Sequence, residues 1–259
     1  MVYKAFSAWR ALSNQCISHH RPLPLHQVCA ICQLPTTPDR FVCEYCAQDI
    51  QLNTHCCQQC AEPFASGVRG RCGRCLKQGR YFTQAFCPII YQEPATSLIK
   101  LIKHNDRGAI RYAGELFKDL LPILSQHQVF VGVPMSASKL KSHHINPAEL
   151  LCQQLMLLCQ QWQMTGNGHS QQSLYETAYL EQIKDYPSQK NLALAARPAN
   201  VRGAFAAKSG FEQAFDHKRV LIIDDVMTSG STLNEAAKTV MALGACSVNV
   251  AALARASKH

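Results

Sequence analysis

Apolar residues recur along this chain in two periods. Short runs rich in β-branched residues, Val129 to Val133, Val220 to Ile223 and Ser247 to Leu253, read as buried strands. Phe86 to Tyr91 reads as another, placed at a sheet edge by Pro88, which has no N–H to give a neighbour. Between these runs the period lengthens to that of a helix. Ala95 to Lys103 turns Leu98, Ile99 and Ile102 inward, Arg111 to Leu124 is amphipathic, and Asn146 to Met164 is a longer helix that tolerates Pro147 in its first turn. Leu233, Ala236, Ala237, Val240 and Met241 share one face of a further helix, which Gly244 ends. Residues 165–189 are polar, carry Gly166, Gly168 and Pro187, and read as a loop. Strands alternating with helices predict an α/β domain, a parallel sheet with helices on both faces. Residues 1–20 show a weak helical pattern through Val2, Phe6, Trp9 and Leu12, that of a helix that docks or frays. No stretch approaches the ~18 apolar residues of a membrane span, and the first twenty residues lack the apolar centre of a signal peptide.

The pattern breaks between residues 28 and 76. Apolar positions thin out there and cysteines take over. Eight of the 14 cysteines form four Cys-x-x-Cys pairs, Cys29/Cys32, Cys43/Cys46, Cys57/Cys60 and Cys72/Cys75, separated by ten, ten and eleven residues. Each pair turns two sulfurs toward one ion, and two pairs complete a tetrahedral site. Four pairs in a row predict two structural Zn2+ sites in a reducing compartment. Sequential pairing, first with second and third with fourth, is preferred; a cross-braced arrangement, first with third, stays open. His55 and Cys56 abut the third pair but would break its spacing, and Cys16, His19 and His20 fit no common site. So thin a core needs a staple, which couples metal binding to folding. The chain divides into a tail at 1–24, a small double zinc-ribbon module at 25–78 and the α/β domain at 79–259.

Charge changes the picture modestly. The net charge is +9, from 26 Lys and Arg against 17 Asp and Glu, and favours anionic partners. Two four-thiolate zinc sites, each about −2, would reduce it to about +5. Arg69, Arg71, Arg74, Lys77 and Arg80 crowd the stretch RGRCGRCLKQGR, which has no acid. They either contact a nucleic-acid backbone or offset the thiolates beside them.

The densest chemistry lies in Val220 to Val240. The apolar run leads straight into Asp224 and Asp225, and Thr228, Ser229, Gly230, Ser231 and Thr232 then open a helix. A strand, a small polar loop and a helix N-terminus at the carboxyl end of a parallel sheet make an anion site. The two acids stand where two ribose hydroxyls, or a metal, could be held. Thr232 and Glu235 also have the spacing of a capping box, which is compatible with that site. No Gly-Lys-Ser/Thr is present, so this is not a Walker loop.

The apolar run, acid pair and Thr-Ser-Gly-Ser-Thr resemble the phosphoribosyl-pyrophosphate (PRPP) signature of type I phosphoribosyltransferases. From about residue 25 onward the chain is similar to the ComF family, which joins a zinc-ribbon module to a domain of that fold. The resemblance is carried by the four cysteine pairs, LIKLIKHND at 98–106, Val133-Pro134, Asn200-Val201-Arg202-Gly203-Ala204-Phe205 and the loop. It implies a cytoplasmic protein with a site for PRPP or a similar sugar phosphate. Such a protein would act in DNA uptake and natural competence, handling imported single-stranded DNA with helicase and recombination proteins and without inserting into a membrane. It equally allows an active phosphoribosyltransferase acting on an unknown acceptor. In that reading Asp224 and Asp225 would be the catalytic pair, holding ribose hydroxyls or metal-bound water. Thr228 to Thr232 would fix the 5-phosphate, and Mg2+ would bridge pyrophosphate and ribose.

The chain departs from the family at 138–147, SKLKSHHINP, where an arginine-rich run leading into Arg-Gly-Phe-Asn-Gln is usual. Lys139 and Lys141 remain to screen pyrophosphate, without the bidentate fork of arginine. Lys103 closes its helix, where a cation suits the dipole better than it suits a distant phosphate. Few residues follow Leu253, so no C-terminal hood over an acceptor is expected, and the zinc module could serve as that hood or as a separate binding surface.

Overall fold

The computed structural model describes residues 27–65, 68–143, 145–167, 180–184 and 201–257. The weak pattern at residues 1–20, with Cys16, His19 and His20, lies outside them. At the amino end, strands β1 (Gln27–Val28) and β2 (Pro35–Thr36) pair antiparallel beside helix α1 (Glu44–Asp49), and α2 (Gly73–Lys77) follows. Both helices start from a cysteine N-cap, Cys43 and Cys72, so each Cys-x-x-Cys bends directly into a helical turn.

The remaining elements alternate. They are β3 (Ala85–Phe86), β4 (Ile89–Ile90), α3 (Ala95–Lys103), α4 (Arg107–Glu115), α5 (Leu121–Leu124), β5 (Val129–Gly132), α6 (Ala137–His143), α7 (Pro147–Trp162), β6 (Leu180–Gln182), β7 (Phe205–Ala207), β8 (Arg219–Met227), α8 (Ser231–Ala242) and β9 (Ser247–Arg255). β8 and β9 lie at the centre of one sheet, β5 flanks β8, and β3 and β4 flank β9, all in parallel. Side chains alternate along β8: Val220 and Ile222 enter one core, Leu221 and Ile223 the other. Leu233, Ala236, Ala237 and Val240 of α8 cover the first face. Ile99 of α3, Ala113 of α4 and Leu155 of α7 cover the second. The expected parallel sheet with helices on both faces is therefore present.

Details depart from the sequence reading. Cys87 and Pro88 split the edge strand in two, and Pro88 has no N–H to give a ladder. β8 continues past Ile223 to Met227, paired with β9 through Arg255, so the acids lie within the strand rather than after it. The helix expected at 111–124 is two helices. α4 starts earlier, where the Asp106 carboxylate accepts the Ala109 N–H, and Pro122 forces a new start for α5. Met241 is 39% exposed, because it sits one step around α8 from the buried Val240. Within the expected loop at 165–189, Leu180–Gln182 pairs antiparallel with Phe205–Ala207, a pairing too short to leave a period in the sequence.

The cysteine module also closes the sheet. Leu52 bridges Ile89 in antiparallel fashion, with Asn53 N–H donating to Pro88 O and Ile90 N–H to Gln51 O, both at 2.8–2.9 Å. An edge that would otherwise offer free backbone groups is covered by the segment between the two cysteine clusters. No helix among the described residues is long and apolar enough to cross a membrane.

Candidate functional site

Because β5 and β8 run in parallel, their carboxyl ends open on one edge of the sheet. There Asp224 Oδ1 accepts the Asp225 N–H and Asp225 Oδ1 accepts the Val226 N–H, each at 2.9 Å. On the α3 side, Lys103 places Nζ 2.9 Å from Asp225 Oδ2. Burial disfavours the lysine charge, yet the attraction and hydrogen bond of Asp225 outweigh it and raise the Lys103 pKa. Asp224 is pushed well above the usual carboxylate range, first by burial and then by the Asp225 charge. The dipole role read for Lys103 from its position is thus corrected: its partner is an acid remote in sequence and adjacent only in the fold.

Past Met227 the chain turns through Thr228, Ser229 and Gly230 into α8. Gly230 is the N-cap at φ 73°, a left-handed conformation that favours glycine, and a Cβ there would lie 2.5 Å from Met227 Cε and force that side chain to shift. Ser229 and Ser231 are buried with their hydroxyls 2.9 Å apart, and Ser229 Oγ accepts the Ser231 N–H at 3.3 Å. Thr228 and Thr232 flank them, half-buried. The loop's carbonyls are held by two arginines. Arg255 donates to Met227 O at 3.0 Å and to Thr228 O, and Arg80 Nη2 donates to Ser229 O at 3.4 Å. With its carbonyls engaged, the loop meets the amino end and positive dipole of a 12-residue helix. The capping box does not form. The helix starts at Ser231, one residue before Thr232, and Glu235 Oε1 instead accepts the Gly203 N–H at 2.8 Å.

Lys139 and Lys141 lie on helix α6, directly after β5 on the same sheet edge. Lys139 is half-buried and Lys141 exposed. Asn146 ties the following turn to that edge, donating Nδ2 to Val133 O at 3.0 Å while Oδ1 accepts the Ala148 N–H at 3.2 Å.

The eight paired cysteines assemble in sequence order. The sulfurs of Cys29, Cys32, Cys43 and Cys46 lie within 4.8 Å of one another, as do those of Cys57, Cys60, Cys72 and Cys75. The cross-braced alternative is excluded, and His55 and Cys56 stay outside both groups. Backbone N–H groups of Ile31 and Cys43 point at Cys29 Sγ (3.4 and 3.3 Å), and that of Cys72 at Cys57 Sγ (3.2 Å). Burial works against these thiolates, but the N–H groups overcome it and lower Cys29 to about 6 and Cys57 to about 7. Burial and neighbouring sulfurs push Cys75 up to about 11, so four thiolates coexist only around a cation. Closed tetrahedral sulfur sites of this kind suit a structural metal such as zinc. The acid pair does not suit a directly bound Mg2+ in the same way: both Asp225 oxygens are engaged and Asp224 is desolvated.

Arg255 joins the second cysteine group to the loop. It is 1% exposed and donates Nε to Cys60 O at 2.9 Å, besides pairing with Glu62 and holding the two loop carbonyls. Of the basic stretch, Arg69, Arg71 and Lys77 are exposed, while Arg80 is committed to the loop and lies 5.9 Å over the Phe82 ring. A cleft of about 620 Å3 between the first cysteine group and α4, lined by Arg40, Phe41, Arg111 and Tyr112, holds neither the acids nor the loop.

Known proteins agree with this construction. The phosphoribosyl transferase domain family matches residues 179–259. DNA utilization protein YhgH of Salmonella typhimurium is 25% identical over 236 residues, covering 88% of this chain and 96% of its own. YhgH of Escherichia coli K12 is 26% identical over 239 residues, with the same coverage of 88% and 96%. Competence protein F of Haemophilus influenzae is 28% identical over 224 residues, covering 83% of this chain and 90% of its own. A purine phosphoribosyltransferase structure from Pyrococcus horikoshii overlaps 61% of this chain and 72% of its own at 16% identity and a TM-score of 0.26, too low to bear on the fold.

Proposed function

The chain belongs to the ComF family, that of competence protein F and YhgH, and from that premise we propose that it is a cytoplasmic PRPP-type binding protein of DNA uptake, handling imported single-stranded DNA with helicase and recombination partners. Residues 25–78 form its metal module and 79–259 its phosphoribosyltransferase-like domain. The observation that carries the reading is the loop from Met227 to Ser231. Its carbonyls are captured by Arg80 and Arg255, its hydroxyls are buried at a helix amino end, and two acids stand immediately before it. Thr228 to Thr232 would take the 5-phosphate through N–H and hydroxyl donors. Asp224 would accept a ribose hydroxyl, and Lys139 and Lys141 would lie toward the pyrophosphate.

Calorimetry with PRPP tests this. The unaltered chain is expected to bind, and Asp224→Asn to lose at least about tenfold in affinity, the worth of a charge-assisted hydrogen bond. The variant should melt higher, not lower. The folded carboxyl titrates above its unfolded value of ~3.9, so the wild type loses stability relative to the amide as pH rises from there toward the folded pKa. Unchanged affinity in a folded variant rejects the assignment. The second reading, phosphoribosyl transfer, is favoured by the two lysines of α6 on the same sheet edge as the acids. It predicts pyrophosphate release from PRPP when an acceptor is supplied.

A further inference from the structure

We propose that Lys103 is a ligand-binding residue of this site and its resident cation, filling the place at Asp225 that a divalent ion would otherwise take. The inference rests on the PRPP-type reading above and deepens it. The two acids are not equivalent. Asp225 has Oδ1 engaged by the Val226 N–H and Oδ2 by Lys103 Nζ, both at 2.9 Å. Asp224 takes the Asp225 N–H on Oδ1 and also meets the Asp225 carboxyl, and a ribose hydroxyl would share these oxygens.

An ammonium carries three N–H donors. One is directed at Asp225, and the others can be given to hydroxyl or phosphate oxygens of a ligand. The acid pair and Lys103 together therefore offer acceptors and a donor at one place, the combination that a vicinal diol needs. The position is anchored, because Lys103 closes α3, whose Leu98, Ile99 and Ile102 are fully buried. It is also reachable, since the Lys103 side chain is 39% exposed and that of Asp225 is 18% exposed. A divalent ion approaching Asp225 would meet an ammonium already in contact with the carboxylate, and like charges at that range repel. Recognition of the ribosyl diol should accordingly need no divalent ion, and any metal would enter only on the ligand's own phosphates.

The test is calorimetry on the full, zinc-loaded chain with ribose 5-phosphate and with PRPP, each with and without Mg2+. Ribose 5-phosphate should bind the wild type equally in both conditions. Lys103→Met should lose about tenfold or more without Mg2+ and regain part of it with Mg2+, because Asp225 is then free to take the ion. Wild-type-like binding by the variant, or a requirement of the wild type for Mg2+ with ribose 5-phosphate, overturns the proposal. If Lys103→Met fails to fold, judged by zinc content and melting, Lys103→Gln decides on the same criterion. A wild type that binds neither probe removes the sugar-phosphate reading and this inference together, whereas binding that is indifferent to Lys103 removes the inference alone.

Discussion

Arg255 is the largest completely buried side chain among the described residues, and it is charged. Such a group survives burial only when its donors are taken, and here they are: Cys60 O, Met227 O, Thr228 O, Ala256 O and the Glu62 carboxylate accept from it. Arg255→Met would leave Glu62 and four carbonyls facing an apolar side chain. A loss of about 3–5 kcal/mol is expected in chemical denaturation, together with weaker PRPP binding through the loosened loop. A loss below about 1 kcal/mol would mean that water substitutes for the guanidinium. Arg255 lies beyond the strand read from the sequence, which ended at Leu253, so neither the arginine nor its partners was legible there. Lys103 was hard to recognise, since a lysine at a helix end has an adequate local explanation. Asp224, Asp225 and the loop residues were legible because they are contiguous, so their juxtaposition needs only one strand and one turn.

Among elements, the two cysteine groups differ in what they hold up. Cys57, Cys60 and Cys75 pack within the same core as α8 and β8, whereas Cys29, Cys43 and Cys46 form a small cluster of their own with Val42. Losing the second metal should therefore disturb the loop through Cys60 and Arg255, and losing the first should not. Cys57→Ser is expected to lower both the melting temperature and the affinity for PRPP, while Cys29→Ser releases one zinc and leaves PRPP binding near wild type. Colorimetric zinc release alongside calorimetry distinguishes the cases. Equal effects of the two substitutions would show that the module acts as one block. Spacing alone preferred sequential pairing but left cross-bracing open, because gaps of similar length allow both, and the sulfur groups formed in the fold decide it.

At the scale of the molecule, a basic stretch that the site uses only through Arg80 lies at the end of the cysteine module. Arg69, Arg71 and Lys77 are exposed, and Arg74 is half-buried beside them. Replacing Arg69, Arg71 and Arg74 by alanine should weaken single-stranded DNA binding at low salt. The slope of log affinity against log salt should flatten by about 0.7 for each phosphate that is no longer neutralised. PRPP binding should not move, because Arg80, the one arginine of the stretch that holds the loop, is kept. DNA binding unchanged by the triple substitution would return these charges to the role of offsetting the thiolates.

Sequence alone determined what is local. Period and β-branching marked the strands and helices, four Cys-x-x-Cys pairs marked the metal sites, and the contiguous acids and small residues marked the anion loop. Each of these depends on neighbours a few positions away, so a linear reading can see them. Tertiary structure decided what depends on packing between distant segments: which cysteine pairs come together, the edge strand closed by Leu52, the arginines that hold the loop's carbonyls, and the lysine at Asp225. The loop is therefore recognisable from its own residues, but the charges that set its chemistry come from α3, from the cysteine module and from the end of β9. Only folding brings them within hydrogen-bonding distance.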